Sequence, residues 1–137
     1  MKNISQFIIF ISITFSAFVS SAQNPFIGTW QLKSGEYINH QGELIDYKTL
    51  GLEAQKVLSE KDFSFVTVEN GKFWAAGTGS YEYTGEYYTE TPLYASYTLP
   101  NKEAYKFKYT LEGDLWINER WEKNQRVEYE IWQRVSK

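Results

Sequence analysis

The chain contains no cysteine, which removes disulfides, thiolate metal sites and cysteine nucleophiles together. Its single histidine, His40, lies in the polar stretch Asn39-His40-Gln41-Gly42 and reads as an exposed turn residue. A transition-metal site therefore has no set of imidazoles or thiolates to draw on, and the carboxylates lack the ordered spacing of a calcium loop. Neither a nucleophile elbow, nor a phosphate-binding glycine loop, nor a Ser/His/Asp constellation is present, so no catalytic residue and no cofactor is assigned. Basic residues are outnumbered by acids, with a net charge of −3 and no Lys/Arg cluster, which argues against nucleic acid and against an anionic membrane surface. Helical periodicity is almost missing.

Only one long apolar run occurs, Phe7 to Val19, preceded by Lys2 and followed by Ser20-Ser21-Ala22. A basic start, a short apolar core and small residues at the cleavage positions are the pattern of a secretory signal peptide. The run falls short of the ~20 residues that a spanning helix needs. Residues 1–22 are accordingly expected to be a leader cleaved after Ala22, and residues 23–137 one domain, exported to the periplasm or beyond with no membrane span after cleavage. Loss of Lys2 makes the mature chain one unit more negative. Without disulfides, packing and hydrogen bonds carry its stability.

What remains after the leader is rich in aromatics, with all 5 Trp and 11 Tyr of the chain and five of its 9 Phe, and it alternates. Ile27 to Tyr37 reads as a strand with Trp30 and Leu32 on one face and Gln31 and Lys33 on the other. A short strand is expected near Leu44 to Tyr47. Thr49 to Gln55 is ambiguous, with one helical turn among the options because Leu52, Glu53, Ala54 and Gln55 tolerate helix. Lys56 to Ser59 and Phe63 to Glu69 follow as strands, and Asn70-Gly71 is a strong hairpin turn. Lys72 to Ala76 runs into Gly77-Thr78-Gly79, which reads as a bend or bulge before Ser80 to Tyr83. Tyr87 to Tyr97 carries Pro92, a mark of an edge or bulge. After the loop Leu99-Pro100-Asn101-Lys102 comes the cleanest alternation, Tyr105, Phe107, Tyr109 and Leu111 against Lys106, Lys108 and Thr110. Leu115 to Trp121 and Arg126 to Val135 complete the series. Eight to ten strands with frequent turns predict an all-β, antiparallel up-and-down barrel.

Gly28-Thr29-Trp30 on the first strand and Arg134 on the last resemble the calycins, the superfamily of lipocalins and fatty-acid-binding proteins. In that superfamily a first-strand tryptophan packs beneath the barrel against a basic side chain of the final strand. The segments Lys56-Val57-Leu58, Phe63-Ser64-Phe65-Val66, Ala75-Ala76-Gly77-Thr78-Gly79-Ser80-Tyr81, Tyr88-Thr89-Glu90, Gly113-Asp114-Leu115-Trp116 and Glu130-Ile131-Trp132-Gln133-Arg134 are similar to a lipocalin-like family of small exported bacterial proteins, over most of the mature chain. The resemblance implies a lipocalin-like barrel. The chain departs from larger lipocalins in lacking their disulfide and their Thr-Asp-Tyr segment, which argues against a deep retinoid-sized pocket.

A closed barrel of this size has its functional space inside or at its mouth. Glu90 stands in an aromatic strand whose alternation places Tyr88, Glu90, Pro92 and Tyr94 on one face. Facing inward, it needs hydrogen bonds from tyrosine hydroxyls or Arg134, and would anchor a polar ligand group or act as a general acid/base. Facing outward, it is a solvated edge glutamate. Phe65, Trp74, Tyr81, Tyr83, Tyr105, Phe107 and Trp116 form an aromatic pool, divided between core packing and a stacking surface for a flat ligand. Arg134 and Trp30 read first as a structural cation–π contact. The candidate ligand-binding set is thus Phe65, Trp74, Tyr81, Tyr83, Glu90, Tyr94, Tyr105, Phe107, Trp116 and Arg134, for a small hydrophobic or aromatic-stacking molecule. The alternatives are a barrel enzyme using Glu90, and a filled barrel that binds a protein or glycan.

Overall fold

Alternating side chains fold the described residues into a single antiparallel sheet. The computed structural model describes residues 23–99 and 104–136, so the expected leader and Pro100, Asn101 and Lys102 of the expected loop lie outside the described residues. Nine strands follow in chain order. They are β1 (Gly28–Ile38), β2 (Leu44–Asp46), β3 (Leu52–Leu58), β4 (Asp62–Glu69), β5 (Lys72–Tyr83), β6 (Tyr87–Ala95), β7 (Tyr105–Glu112), β8 (Leu115–Glu122) and β9 (Gln125–Ser136). From β3 to β9 each strand pairs with the next, and β9 returns to pair with β1, which also pairs with β3. Eight strands therefore close an up-and-down barrel. The short β2 extends it by pairing with the far end of β1, at Glu36 to Ile38. Among the described residues no helix is long and apolar enough to cross a membrane.

Local chemistry explains the turns. Asn70 and Gly71 both take positive φ, 49° and 75°, which matches the twist of the flanking strands. Lys123 and Asn124 do the same between β8 and β9, at 46° and 66°. Of the ambiguous stretch Thr49 to Gln55, Thr49 and Leu50 end one 3-10 turn at Tyr47–Leu50, while Leu52 to Gln55, expected to tolerate helix, belong to β3. Asp46 caps it by accepting a hydrogen bond from the Lys48 amide, and Gly51 ends it in the left-handed region. Pairing of β3 with β1 and β4 overrides the weak helix preference beyond Gly51.

The alternation of β7 holds, with Phe107 buried and Lys106, Lys108 and Thr110 exposed. That of β6 holds only to Pro92. Gly79 pairs with Pro92 but Thr78 pairs with Tyr94, so Leu93 is an extra residue in a bulge. A side chain at Gly79 would collide with the Thr91 carbonyl 2.2 Å away, so the bulge needs that glycine. Tyr94, expected on the Glu90 face, is instead 69% exposed. One inserted residue reverses a strand's faces.

The closed end is packed with rings. It gathers the start of β1, the β3–β4, β5–β6 and β7–β8 turns and the end of β9. Phe26, fully buried just before β1, touches the rings of Tyr81, Tyr83, Tyr88, Tyr109 and Trp116, with four of the five centroids within about 5.1 Å. Trp30 donates its indole N–H to the Phe26 carbonyl at 2.8 Å. The Arg134 guanidinium lies 4.0 Å over the Trp30 ring, bonds Asp114 at 3.0 Å, and donates to the carbonyls of Pro25 and Ile27. Asn24 ties the same segment to the β3–β4 turn and to the Tyr81 hydroxyl.

Candidate functional site

Above that floor the barrel is hollow. A cavity of about 640 Å³ occupies its other half, toward the end that carries β2, the 3-10 turn and the β4–β5 and β8–β9 turns. Small side chains make the room: Ala54 of β3, Ala75 of β5 and Thr67 between them on β4 face it side by side. Phe65, Trp74, Tyr97, Tyr105 and Phe107 supply aromatic wall, and Leu32 and Leu52 aliphatic wall. Gly77 permits this arrangement, since a Cβ there would sit 2.7 Å from the Phe65 ring.

A buried ion pair occupies the base of the cavity. Lys56 alternates with Ala54 and Leu58 on the inward face of β3, and its ammonium lies 2.6 Å from Glu90 Oε1. The Tyr88 hydroxyl donates to the same oxygen at 2.9 Å. Four rings surround the ammonium, with centroids 5.0 Å away for Trp132, 5.4 Å for Trp116, 5.9 Å for Tyr88 and 6.0 Å for Phe63. Burial pushes the Lys56 pKa down, but the charges of Glu90 and Glu130 outweigh it and hold the group above the ordinary lysine value. Burial, then Glu90, raises the Tyr88 pKa well above that of a free phenol.

Glu130 lies on β9 one inward position from Trp132, and it too is buried. It accepts a hydrogen bond from the Trp132 indole at 2.8 Å and a longer one from the Tyr47 hydroxyl at 3.3 Å. Among the described residues it has no ion-pair partner. Burial, reinforced by Glu128, pushes its carboxyl up to about 7 against the opposing pull of Lys56 and the indole. Tyr47 reaches Glu130 from the 3-10 turn because Gly35, paired with Glu130 across β1 and β9, has no side chain: a Cβ there would meet the Tyr47 ring at 2.5 Å. Burial, then Glu130, raises the Tyr47 pKa. Higher on the wall Arg120 bonds Glu128 at 2.8 Å and also contacts Glu122. Burial works against its charge, but Glu128 holds its pKa above the ordinary value. Tyr97 at the rim is pushed up to about 12 by burial.

Five of the ten expected residues line this space: Phe65, Trp74, Glu90, Tyr105 and Phe107. The other five do not. Tyr81 and Trp116 are core beneath the cavity, Tyr81 donating to the Ser59 carbonyl at 2.6 Å with its pKa raised to about 12 by burial. Tyr83 packs on Phe26 at the closed end, and Tyr94 points away past the bulge. Arg134 is spent on the closed end, so Glu90 takes its hydrogen bonds from Lys56 and Tyr88. Lys56, Glu130, Tyr47, Arg120 and Trp132 were absent from the expected set. A lysine in phase with Ala54 and Leu58, and a glutamate in phase with Trp132, were the readable signals.

The arrangement can enclose an apolar body and offer it carboxylate, phenol and ammonium groups at one end. Among the described residues no three His, Cys, Asp or Glu side chains converge to hold a metal ion. Comparisons of the chain with protein families, with curated proteins and with solved structures find no match.

Proposed function

We propose that this barrel is a lipocalin-like binding protein for a small, partly apolar molecule, exported by a leader over residues 1–22. The cavity carries the reading: about 640 Å³ falls inside the ~300–1,000 Å³ typical of small-molecule sites. Its walls are largely apolar, with Lys56 and Glu90 at the base, Glu130 above them and the Arg120–Glu128 pair higher still, a division between affinity and orientation. The barrel topology and the Trp30–Arg134 contact support the resemblance to calycins. The apolar run after Lys2 supports export.

The test is to titrate the protein with an apolar fluorophore and compare it with Ala54→Phe, which places a ring in the cavity beside Lys56. Saturable binding lost in the variant, with an unchanged circular dichroism spectrum, is the expected result. Binding that survives the filled cavity sinks the reading.

A second reading, proton-transfer catalysis, now draws on Glu130, since a carboxyl titrating near 7 in a cavity is suited to acid/base work. It requires a reaction that Glu130→Gln abolishes without lowering the melting temperature.

A further inference from the structure

The charges lining the cavity do not balance. Lys56 and Arg120 face it with Glu90, Glu128 and Glu130, so one carboxylate is in excess. Lys56 is matched to Glu90 and Arg120 to Glu128, and the unmatched group is Glu130. Its two hydrogen bonds come from neutral donors, an indole N–H and a phenol. An ionised carboxylate in such a place is costly without a counter-charge. Glu90 points the same way: Oε1 takes both of its hydrogen bonds, and Oε2 takes none among the described residues.

The molecule already contains an ammonium solved by the same means. Lys56 rests against one carboxylate inside a cage of four rings. Aromatic faces with a carboxylate are the usual way to recover the hydration an ammonium loses. The cavity repeats these ingredients one level higher, with Glu130 flanked by Tyr47 and Trp132 and with Trp74, Tyr97 and Tyr105 beyond. A fatty acid finds no such welcome, because both cations facing the cavity are already engaged by carboxylates.

Resting on the binding function proposed above, we infer that the ligand is a cationic amphiphile: a primary or secondary ammonium seated against Glu130, with an apolar or aromatic body along the ring-lined wall. Glu130 would give up any proton it carries as the ammonium arrives, so binding strengthens as pH rises through the titration of this carboxyl. The charged and titratable groups that share the cavity with it are Glu128 on its own strand, Tyr37 of β1, Lys56 of β3, Glu90 of β6, Tyr97 after β6, Tyr105 of β7, Arg120 of β8, and Tyr47 of the 3-10 turn. Lys56 and Arg120 stay cationic and Tyr47 stays neutral through the neutral range.

The experiment titrates the full-length mature protein with octylamine, octan-1-ol and octanoate, three probes of one tail and three head groups, following tryptophan emission. Octylamine is expected to bind at least about tenfold more tightly than octanoate, and about tenfold more weakly at about pH 6 than at about pH 8. Glu130→Gln should bring octylamine down to the octanol level. If that variant does not fold, the wild-type pH series decides alone. Octanol or octanoate binding as well as octylamine, or an octylamine affinity flat with pH, overturns the cationic ligand while leaving the binding function standing. If none of the three binds, the cavity is no ligand site and both readings fall.

Discussion

The two halves of this barrel are built by the same eight strands yet treat the space inside them in opposite ways. Toward the start of β1 the interior is filled, with Phe26 at the centre of five rings and Trp30 sealed beneath Arg134. Toward the other end Ala54, Thr67 and Ala75 leave the interior hollow, and charged groups stand where rings would otherwise meet. Eight strands enclose about enough room for side chains or for one small guest, so side-chain size alone decides between the two. The filled half supplies cohesion that the hollow half lacks. Buried charge is concentrated at the boundary between them, where Lys56 is paired with Glu90 while Glu130 stands without a counter-charge among the described residues.

That division can be broken or sharpened by substitution. Phe26→Ala should cost the most, about 4 kcal/mol of unfolding free energy, because five surrounding rings cannot collapse onto the space left behind. Chemical denaturation measures it, and a loss below about 1 kcal/mol would mean that the N-terminal segment is not a structural plug.

Next comes Lys56→Met, expected to cost about 3 kcal/mol by leaving Glu90 buried without its counter-charge. Adding Glu90→Leu should restore most of that loss, since an apolar pair of similar volume avoids desolvation altogether. Failure of the second substitution to rescue the first would show that the pair is not the source of the cost.

Glu130→Gln should act in the other direction. Glu130 titrates near 7 in the fold against 4.5 for a free carboxyl, so between those values the folded chain holds a proton that the unfolded chain has lost. Stability therefore falls as pH rises from about 4.5 to about 7 and changes no further through this group. The variant should lose that slope and gain about 3 kcal/mol at about pH 8, with little change at about pH 4. Melting curves across pH in both proteins check it. A parallel pair of curves would remove Glu130 from the account.

The smallest effect is expected at Trp74→Ala. This ring is 50% exposed at the mouth, so stability should move by no more than about 0.5 kcal/mol while binding of an apolar probe weakens. A stability loss as large as that of Phe26→Ala would erase the contrast between the two ends.

Much of the fold could be read from local pattern. The β7 alternation and the Asn70-Gly71 turn each follow from side-chain chemistry within a few residues, whereas Gly77-Thr78-Gly79, expected as a bend or bulge, lies inside the unbroken β5 with the bulge opposite it on β6. The site was half legible. Glu90, Phe65, Trp74, Tyr105 and Phe107 reach the cavity, while Tyr94 does not, because the bulge falls after Pro92 and no alternation reveals where a register slips. Lys56 and Glu130 were hidden for a different reason. A charge in phase with apolar neighbours is visible in one strand, but its partner lies 34 residues away for Lys56, and Tyr47 lies 83 residues from Glu130. Phe26 precedes the first strand and is in phase with Gly28 and Trp30, but nothing along the chain marks it as the centre of five rings.

The strands, their turns and their antiparallel succession were legible in the residues alone, because period-two burial and turn conformation depend on residues close along the chain. Which height of the barrel is full, which is hollow, and which charges face one another across it emerge only once the sheet has closed. Those outcomes depend on closure of β1 against β9 and on the summed register of every strand between them, a quantity that no single segment carries.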